Sequence, residues 1–266
     1  MIGSFSSYIL VGALAGFLAG LLGIGGGLVV VPGLIFLFTH YHFPEDHVVH
    51  IALGSSLASI VFTSLSSLKA HDARGAVDWK LFRILTPGIA AGTFFGTLIA
   101  ARLNTLILKI TFILFLVYVA TGLIRGRKVS SFQNPPGTKG LIAAGGAIGS
   151  VSSLVGIGGG TLSVPLLLRM SLDLRTSIGT SAALGLPIAV SGTSGYLLNG
   201  LFAGGLPDHS IGYLYLPAIM GVASASVLTA PLGALVSHRL PVDGLRILFA
   251  FLLYFVAGKM ALQIAG

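Results

Sequence analysis

The chain lacks cysteine and has few charged residues. Its 266 residues include no cysteine, one tryptophan, and only 8% charged side chains against 55% hydrophobic ones. The missing cysteines exclude disulfides and thiolate metal sites. A soluble domain of average composition carries about 25% charged residues, so this chain lacks the polar surface that keeps such a domain in water. A mean hydropathy of +0.99 and repeated long apolar runs instead indicate a multi-pass helical membrane protein.

Acidic residues are scarce and avoid the apolar runs. The seven acidic residues are Glu45, Asp46, Asp72, Asp78, Asp173, Asp208 and Asp243. A carboxylate proton relay within the membrane is therefore not expected. Most of the fifteen Lys and Arg residues also lie between apolar runs, where we interpret them as topology signals and lipid-headgroup contacts. Because the first basic residue is Lys69, we expect the first apolar segment to be retained rather than cleaved as a signal peptide.

Eight apolar segments alternate with short polar connections. The segments span about 8–38, 48–68, 84–101, 105–124, 141–168, 177–198, 211–236 and 244–264. Between the fourth and the fifth lies RGRKVSSFQNPPGTKG, whose prolines, glycines and basic residues predict a cytoplasmic linker. We therefore predict a first transmembrane repeat (1–124), this basic linker (125–140) and a second transmembrane repeat (141–266).

The two halves repeat one sequence pattern. GLLGIGGGLVVVP (20–32) aligns without a gap on SLVGIGGGTLSVP (153–165), 133 residues later. Further along each half, LGSS (53–56) matches IGTS (178–181). The pattern predicts an all-α, polytopic fold built from two homologous halves of four apolar segments each.

The first and fifth segments are too long for a single span. Residues 8–38 as one helix would measure about 46 Å, against a hydrocarbon core of about 30 Å. Glycine costs about 1 kcal/mol relative to alanine inside a helix, so the GIGGG core predicts two part-helices joined by an unwound turn. If both segments are re-entrant hairpins, the fifteen basic residues divide twelve to three between the two sides, instead of nine to six. The charge distribution therefore favours hairpins and an inverted repeat.

The duplicated glycine turn is the main candidate for a binding site. A glycine turn followed by a helix start offers an anion free backbone N–H groups and the positive end of a helix dipole. An inverted repeat places two such turns face to face near the midplane. We expect the hydroxyls of the GSS and GTS pairs to face the same cavity, with bonding to their own helices as the alternative. The predicted substrate-binding residues are Gly23, Gly25, Gly26, Gly27, Ser55, Ser56, Gly156, Gly158, Gly159, Gly160, Thr161, Thr180 and Ser181.

Two other features receive structural interpretations. Gly12, Gly16 and Gly20 have the spacing of close helix packing. The histidines of HYHFPEDHVVH (40–50) have no spacing typical of a tetrahedral metal site, so they predict a polar surface loop. Neither a metal nor another cofactor is expected. Ion coupling would have to use backbone carbonyls, hydroxyls or a histidine such as His71.

These motifs together resemble one family of bacterial membrane proteins. The duplicated GIGGG turn, the GSS and GTS pair, ARGAVDWKL (73–81) and GALVSHRLPVDGLRILFAFLLYFVAGKM (233–260) are similar to the TauE/SafE family, also called TSUP. The resemblance covers residues 8–264. It implies a multi-pass plasma-membrane permease that exports small sulfur-containing oxyanions such as sulfite or sulfonates. The second-half counterpart of ARGAVDW is degenerate, in NGLFAGGLPDHSIGY (199–213).

The sequence leaves alternatives to a secondary transporter with alternating access. An anion channel, or a structural subunit of a larger membrane assembly, would use the same features. An intramembrane serine hydrolase would need a base beside a membrane serine, yet all seven histidines lie in or near loops. No enzymatic activity is therefore expected. The expected partners are a small anionic substrate and the lipid bilayer, with a homodimer left open and no nucleic acid.

Overall fold

The computed structural model describes residues 2–22, 26–125, 131–237 and 242–265. Within these ranges the chain forms ten α-helices and one short antiparallel ribbon of two strands. The helices are α1 (Ile2–Leu22), α2 (Gly27–His40), α3 (Val48–Asp72), α4 (Trp79–Ala100), α5 (Thr105–Arg125), α6 (Thr138–Val155), α7 (Gly160–Arg169), α8 (Leu174–Gly200), α9 (Leu216–Ser237) and α10 (Val242–Ala265), and the ribbon pairs β1 (Ser210–Ile211) with β2 (Leu214–Tyr215).

The helices have the lengths of a membrane protein. In the described part of the chain, α3, α4, α5, α6, α8 and α10 are long and apolar enough to cross a bilayer. Helices α1 and α9 have 21 and 22 residues, so each is about 30 Å long, close to the thickness of the hydrocarbon core. Large apolar side chains such as Leu114, Leu228 and Phe255 face outward, as a lipid-facing surface requires. The predicted polytopic helical membrane fold is confirmed.

The first apolar segment is a helical hairpin. It divides into α1 and α2 at the glycine core. The two helices run side by side in opposite directions, because Val11 lies against Gly33 while the Ser7 hydroxyl is 3.1 Å from the Tyr41 hydroxyl. At the open end of this hairpin, the start of α1 therefore lies beside the end of α2.

The fifth apolar segment divides in the same way, into α6 and α7. The backbone N–H of Phe132 donates to the carbonyl oxygen of Arg169 at 2.8 Å, and the Arg169 guanidinium lies 5.8 Å from the centre of the Phe132 ring. Phe132 precedes α6 and Arg169 ends α7. At the open end of this hairpin, the start of α6 therefore lies beside the end of α7.

The two halves interlock through an exchange of helices. α1 packs along α9, and α6 packs along α4. Gly12 faces Val222 and Gly16 faces Ser226, so α1 and α9 run in the same direction. The interpretation of Gly12 and Gly16 as packing residues is confirmed, because a Cβ at either position would collide with the α9 backbone.

The long central helices α3 and α8 cross the molecule in opposite directions. Leu57 lies against Gly192, and Ser64, two turns later in α3, lies against Gly185, two turns earlier in α8. The outer helices α5 and α10 also pack together, with the Thr121 and Tyr254 hydroxyls 2.7 Å apart.

Several helices begin at other residues than the apolar runs predict. α4 starts at Trp79 rather than 84, because the Asp78 carboxylate accepts a hydrogen bond from the Leu81 N–H at 2.9 Å. α8 starts at Leu174 rather than 177, because Asp173 accepts from the Thr176 N–H at 3.0 Å. α9 starts later than predicted because residues 210–215 form the ribbon. In the first two cases a polar cap, rather than the first apolar residue, marks the helix start.

Candidate functional site

The two glycine breaks contact each other in the interior of the bundle. A Cβ at Gly27, the first residue of α2, would lie 2.7 Å from the carbonyl oxygen of Gly156 and 2.8 Å from the Cα of Ile157. Real Cβ atoms do not approach other heavy atoms within 3.0 Å, so only glycine fits here without displacing the second break. Gly23 and Gly25, two predicted site residues, lie outside the described residues.

The second break is an unwound turn between two left-handed glycines. Gly156 has φ 69° and ends α6, while Gly159 has φ 74° and precedes α7, and both values lie in the region that favours glycine. The carbonyl oxygen of Gly159 accepts hydrogen bonds from the N–H groups of Leu162 and Ser163 at 3.0 and 2.8 Å. The N–H groups of Gly160 and Thr161 lie in the first turn, where a helix offers no backbone acceptor of its own.

Ser56 is the predicted hydroxyl that reaches the second break. Its Oγ is fully buried and donates to the carbonyl oxygen of Gly156 at 2.8 Å. Ser181, its counterpart in the second half, is also buried, and its Oγ has no hydrogen-bond partner among the described residues. Neighbouring Ser59 donates to the carbonyl oxygen of Ser55 in its own helix. Of the two hydroxyls in GSS, Ser56 is therefore the one that connects α3 with the break.

The other two predicted hydroxyls bind connecting segments instead. The Oγ of Ser55 accepts from the N–H of Tyr215 at 3.0 Å, just before α9. The Oγ1 of Thr180 accepts from the N–H of Asp78 at 2.8 Å, just before α4. Since α3 and α8 run in opposite directions, these contacts lie at opposite ends of the bundle. Ser55 and Thr180 do not face a common cavity, contrary to our expectation for the two pairs.

These contacts also correct the position of the repeat that follows α3. Gly75 and Gly212 have similar left-handed conformations, with φ 63° and 57°. The segment 73–79 therefore corresponds to 210–216, which overlaps only the last four residues of the predicted counterpart 199–213. Within the two segments, the carbonyl oxygens of Ala76 and Tyr213 contact Gly179 and Gly54, respectively. The sequences differ because most of the contacts use backbone atoms, which constrain the side chains weakly.

Further hydroxyl groups lie near the second break, and two of them, Ser152 and Ser64, are not among the predicted site residues. Ser152 is fully buried, its Oγ has no hydrogen-bond partner in the described part of the chain, and it would lie 3.4 Å from a Cβ at Gly159. Thr161, a predicted residue, has an equally unpartnered Oγ1. Ser64 of α3 lies near the same turn, across Gly185. Ser152 lies about one helical turn before the glycines, and this spacing could have predicted that its side chain lies near the turn.

The predicted histidine loop packs against aromatic rings. The Nε2 of His50 lies 3.1 Å from the carbonyl oxygen of Ala100, and its ring stacks on Tyr213 with the centres 5.0 Å apart. The ring of His47 lies 5.6 Å from the same tyrosine. Burial raises the pKa of Tyr213, so this phenol stays neutral. No group of three potential metal ligands converges among the described residues.

Membrane-length helices that break at glycines, with the second break unwound and in contact with the start of α2 inside the bundle, define a class of protein. In a bilayer, irregular backbone is stable only when it is enclosed by protein or lines a cavity, and broken helices that meet in the interior are typical of membrane transporters. The chain is a multi-pass membrane protein of this class. It belongs to the TauE/SafE sulfite exporter family, whose model matches residues 8–260, and this confirms the resemblance. The cell membrane is the usual location of this family.

Relatives extend over most of the chain. A probable membrane transporter protein of Haemophilus influenzae is 40% identical over 256 residues, which cover 96% of this chain and 97% of the relative. Probable membrane transporter proteins of Methanocaldococcus jannaschii and Bacillus subtilis are 27% and 28% identical, covering 92% and 74% of this chain and 91% and 80% of their own lengths. No solved structure matches the chain. The fold, the family and these relatives support a membrane transporter.

Proposed function

We propose that the chain is a secondary transporter that exports small sulfur-containing oxyanions, such as sulfite or sulfonates, across the plasma membrane. The observation that carries this proposal is the direct contact of the two glycine breaks, at Gly27 and Gly156. There the start of α7 lies close to the buried hydroxyl of Ser152, which would be 3.4 Å from a Cβ at Gly159. The name of the family, sulfite exporter, supports the class of substrate.

The donors of this site suit an anion that must also be released. The N–H groups at the start of α7 and the hydroxyls near them carry partial charges, and a helix N-terminus favours negative charge. A buried lysine or arginine would bind an anion far more strongly, because charges interact strongly where water is excluded. Neither residue type is among the described residues nearest the second break, which are Gly27, Val31, Leu53, Ser56, Ile60, Ser152, Ser163, Gly185 and Ile188.

Helix directions support an inverted repeat. The α1–α2 hairpin opens at the end of the bundle where α3 starts, and the α6–α7 hairpin opens where α8 starts. Because α3 and α8 are antiparallel, the two hairpins open at opposite ends. We therefore propose that 1–124 and 141–266 are inverted repeats joined by the basic linker 125–140, and that rocking of the repeats gives alternating access to the breaks.

Transport by proteoliposomes tests this function. Saturable uptake of labelled sulfite that responds to a proton or sodium gradient, with counterflow, is expected of a secondary transporter. Linear uptake that ignores the gradient would instead indicate the anion channel. Absence of any flux with sulfite and a small sulfonate would contradict the proposed substrate class.

A matched pair of glycine variants tests whether transport depends on the second break. A side chain at Gly159 would collide with Ile188 in a left-handed turn, so Gly159→Leu should abolish uptake. Gly122 on α5 has open space around it, and Gly122→Leu should preserve uptake. Both variants need to be present in the membrane at equal amounts.

A further inference from the structure

Within the two broken segments themselves, the hydroxyl side chains next to the glycines come from one half of the chain. In the gap-free alignment of the two glycine motifs, Ser152, Thr161 and Ser163 of the second half correspond to Ala19, Leu28 and Val30 of the first. Each hydroxyl of the second break is therefore replaced by an apolar side chain at the first. The repeated glycines hide this difference, because the glycines themselves are the same in both copies.

The backbone of the two breaks is alike at the helix starts. The carbonyl oxygen of Gly26 accepts from the N–H groups of Val29 and Val30 at 3.0 Å each, just as Gly159 accepts from Leu162 and Ser163. The two helix starts thus share their first-turn hydrogen bonds, although Gly26 has φ −72° and Gly159 has φ 74°. These hydrogen bonds alone do not distinguish the two breaks as anion sites.

The side chains do distinguish them. At the first break, Leu28 and Val30 are buried in the apolar core. At the second, the Oγ of Ser152 and the Oγ1 of Thr161 are buried and lack hydrogen-bond partners in the described part of the chain. A buried hydroxyl without a partner is unfavourable, and an oxyanion that accepts its hydrogen bond would remove this cost. Ser163 differs, because it already donates to the carbonyl oxygen of Gly159 at 2.9 Å.

We propose that the oxyanion binds at the second break alone. The hydroxyls of Ser152 and Thr161 and the N–H groups of Gly160 and Thr161 donate to its oxygens, while the first break, at Gly26, Gly27 and Leu28, forms an apolar wall. This inference rests on the proposed function and names the subsite within it. The site is therefore asymmetric, although the two halves are repeats.

The absence of cysteine from the chain makes the test direct. Thr161→Cys and Leu28→Cys each introduce one thiol, at aligned positions of the two breaks. An ethylsulfonate-bearing methanethiosulfonate reagent is applied to each variant in proteoliposomes, with Ser152→Cys as a second reporter. We expect Thr161→Cys and Ser152→Cys to react at least tenfold faster than Leu28→Cys. Equal rates, or a faster rate at Leu28→Cys, would overturn the asymmetric site.

Protection by a small sulfonate, which does not react with the reagent, separates this inference from the proposed function. Slower labelling of Thr161→Cys in the sulfonate supports both. Faster labelling at 161 and 152 than at 28 without protection keeps the asymmetric pocket but contradicts a sulfonate as its ligand. Protection of Leu28→Cys equal to that of Thr161→Cys would keep the ligand but overturn the asymmetry.

The KM of uptake distinguishes a residue that binds the anion from one that only supports the fold. Ser152→Ala and Thr161→Val should each raise the KM for sulfite about tenfold, whereas Ser163→Ala, whose hydroxyl is bonded to its own helix, should change it less than twofold. Thermal melting of the three variants checks that they fold equally. An unchanged KM in both Ser152→Ala and Thr161→Val would contradict the assignment.

Discussion

At the scale of single residues, neighbouring glycines of the same motif have different roles. A Cβ at Gly26 would make ordinary contacts with Ala15 at 3.5 Å or more, and the residue has φ −72°. A Cβ at Gly27 would press into Gly156 and Ile157 of the other break. The repeated motif therefore contains one position where alanine fits and one where it does not.

This difference predicts opposite results for two conservative changes. Gly27→Ala should destabilise the protein by about 1–3 kcal/mol, because overpacking forces the backbones of the two breaks apart. Gly26→Ala should leave stability nearly unchanged, since a Cβ there meets nothing closer than 3.5 Å and the backbone is right-handed. Thermal unfolding of both variants in the same detergent measures the difference. Equal melting temperatures would mean that the breaks do not touch as described.

At the scale of elements, hydroxyls of the central helices α3 and α8 bind the segments that lead into α9 and α4, respectively. Ser55 in α3 accepts from Tyr215 before α9, and Thr180 in α8 accepts from Asp78 before α4. The two contacts are equivalent in the two halves. They connect α3 to α9, which packs against α1, and α8 to α4, which packs against α6.

Removal of either hydroxyl should loosen the segment that it holds. Ser55→Ala should speed amide exchange in residues 210–216, and Thr180→Val should do so in residues 73–79, because each change leaves a backbone N–H without its acceptor. Hydrogen exchange read by mass spectrometry localises the effect. Thr111→Val on α5, where the hydroxyl bonds only to Ile107 of its own helix, is the control and should change neither segment. Faster exchange in both segments of every variant would indicate general destabilisation instead.

The start of α8 should respond to acid through its cap. Hydrogen bonding from Thr176 lowers the pKa of the exposed Asp173 carboxyl. Its stabilising effect is present above the ordinary aspartate pKa and is lost as pH falls through the lowered value. Asp173→Asn keeps a cap that cannot titrate, so it should reduce the acid dependence of the melting temperature. Asp173→Ala should lower the melting temperature at neutral pH. An identical acid dependence in wild type and Asp173→Asn would contradict the role of this cap.

At the scale of the whole molecule, the distribution of basic residues predicts the orientation. Twelve of the fifteen Lys and Arg residues belong to the end that holds the linker 125–140, if both broken segments are hairpins. The positive-inside rule places that end in the cytoplasm. The connection between α8 and α9, at residues 201–209, then lies on the outer side.

Single thiols at the two ends test this orientation. Gln133 and Asp208 are both exposed. In intact cells, Asp208→Cys should react with a membrane-impermeant maleimide, whereas Gln133→Cys should react only after the membrane is opened. Reaction of both thiols in intact cells would rule out the inverted repeat with opposite hairpins, and the reverse pattern would invert the orientation.

The sequence by itself determined the class, the duplication and the broken helices. Long apolar runs satisfy their backbone hydrogen bonds in lipid by forming helices. Three adjacent glycines destabilise a continuous helix and so favour a break. Both signals are local, so they can be interpreted without a structure. The same is true of the packing role of Gly12 and Gly16, whose spacing places them on one helix face.

Only the tertiary structure decided which polar groups meet. Ser55 and Ser56 are adjacent in the same motif, yet one binds the segment before α9 and the other binds the second break. Ser152, which no motif marked, lies beside the glycine turn. The direction in which a hydroxyl points depends on which helix packs against its face. Helices α6 and α7 pack beside α4 and α8 through contacts distant in sequence. The sequence therefore predicts that a break exists, whereas the packing of the halves determines its lining.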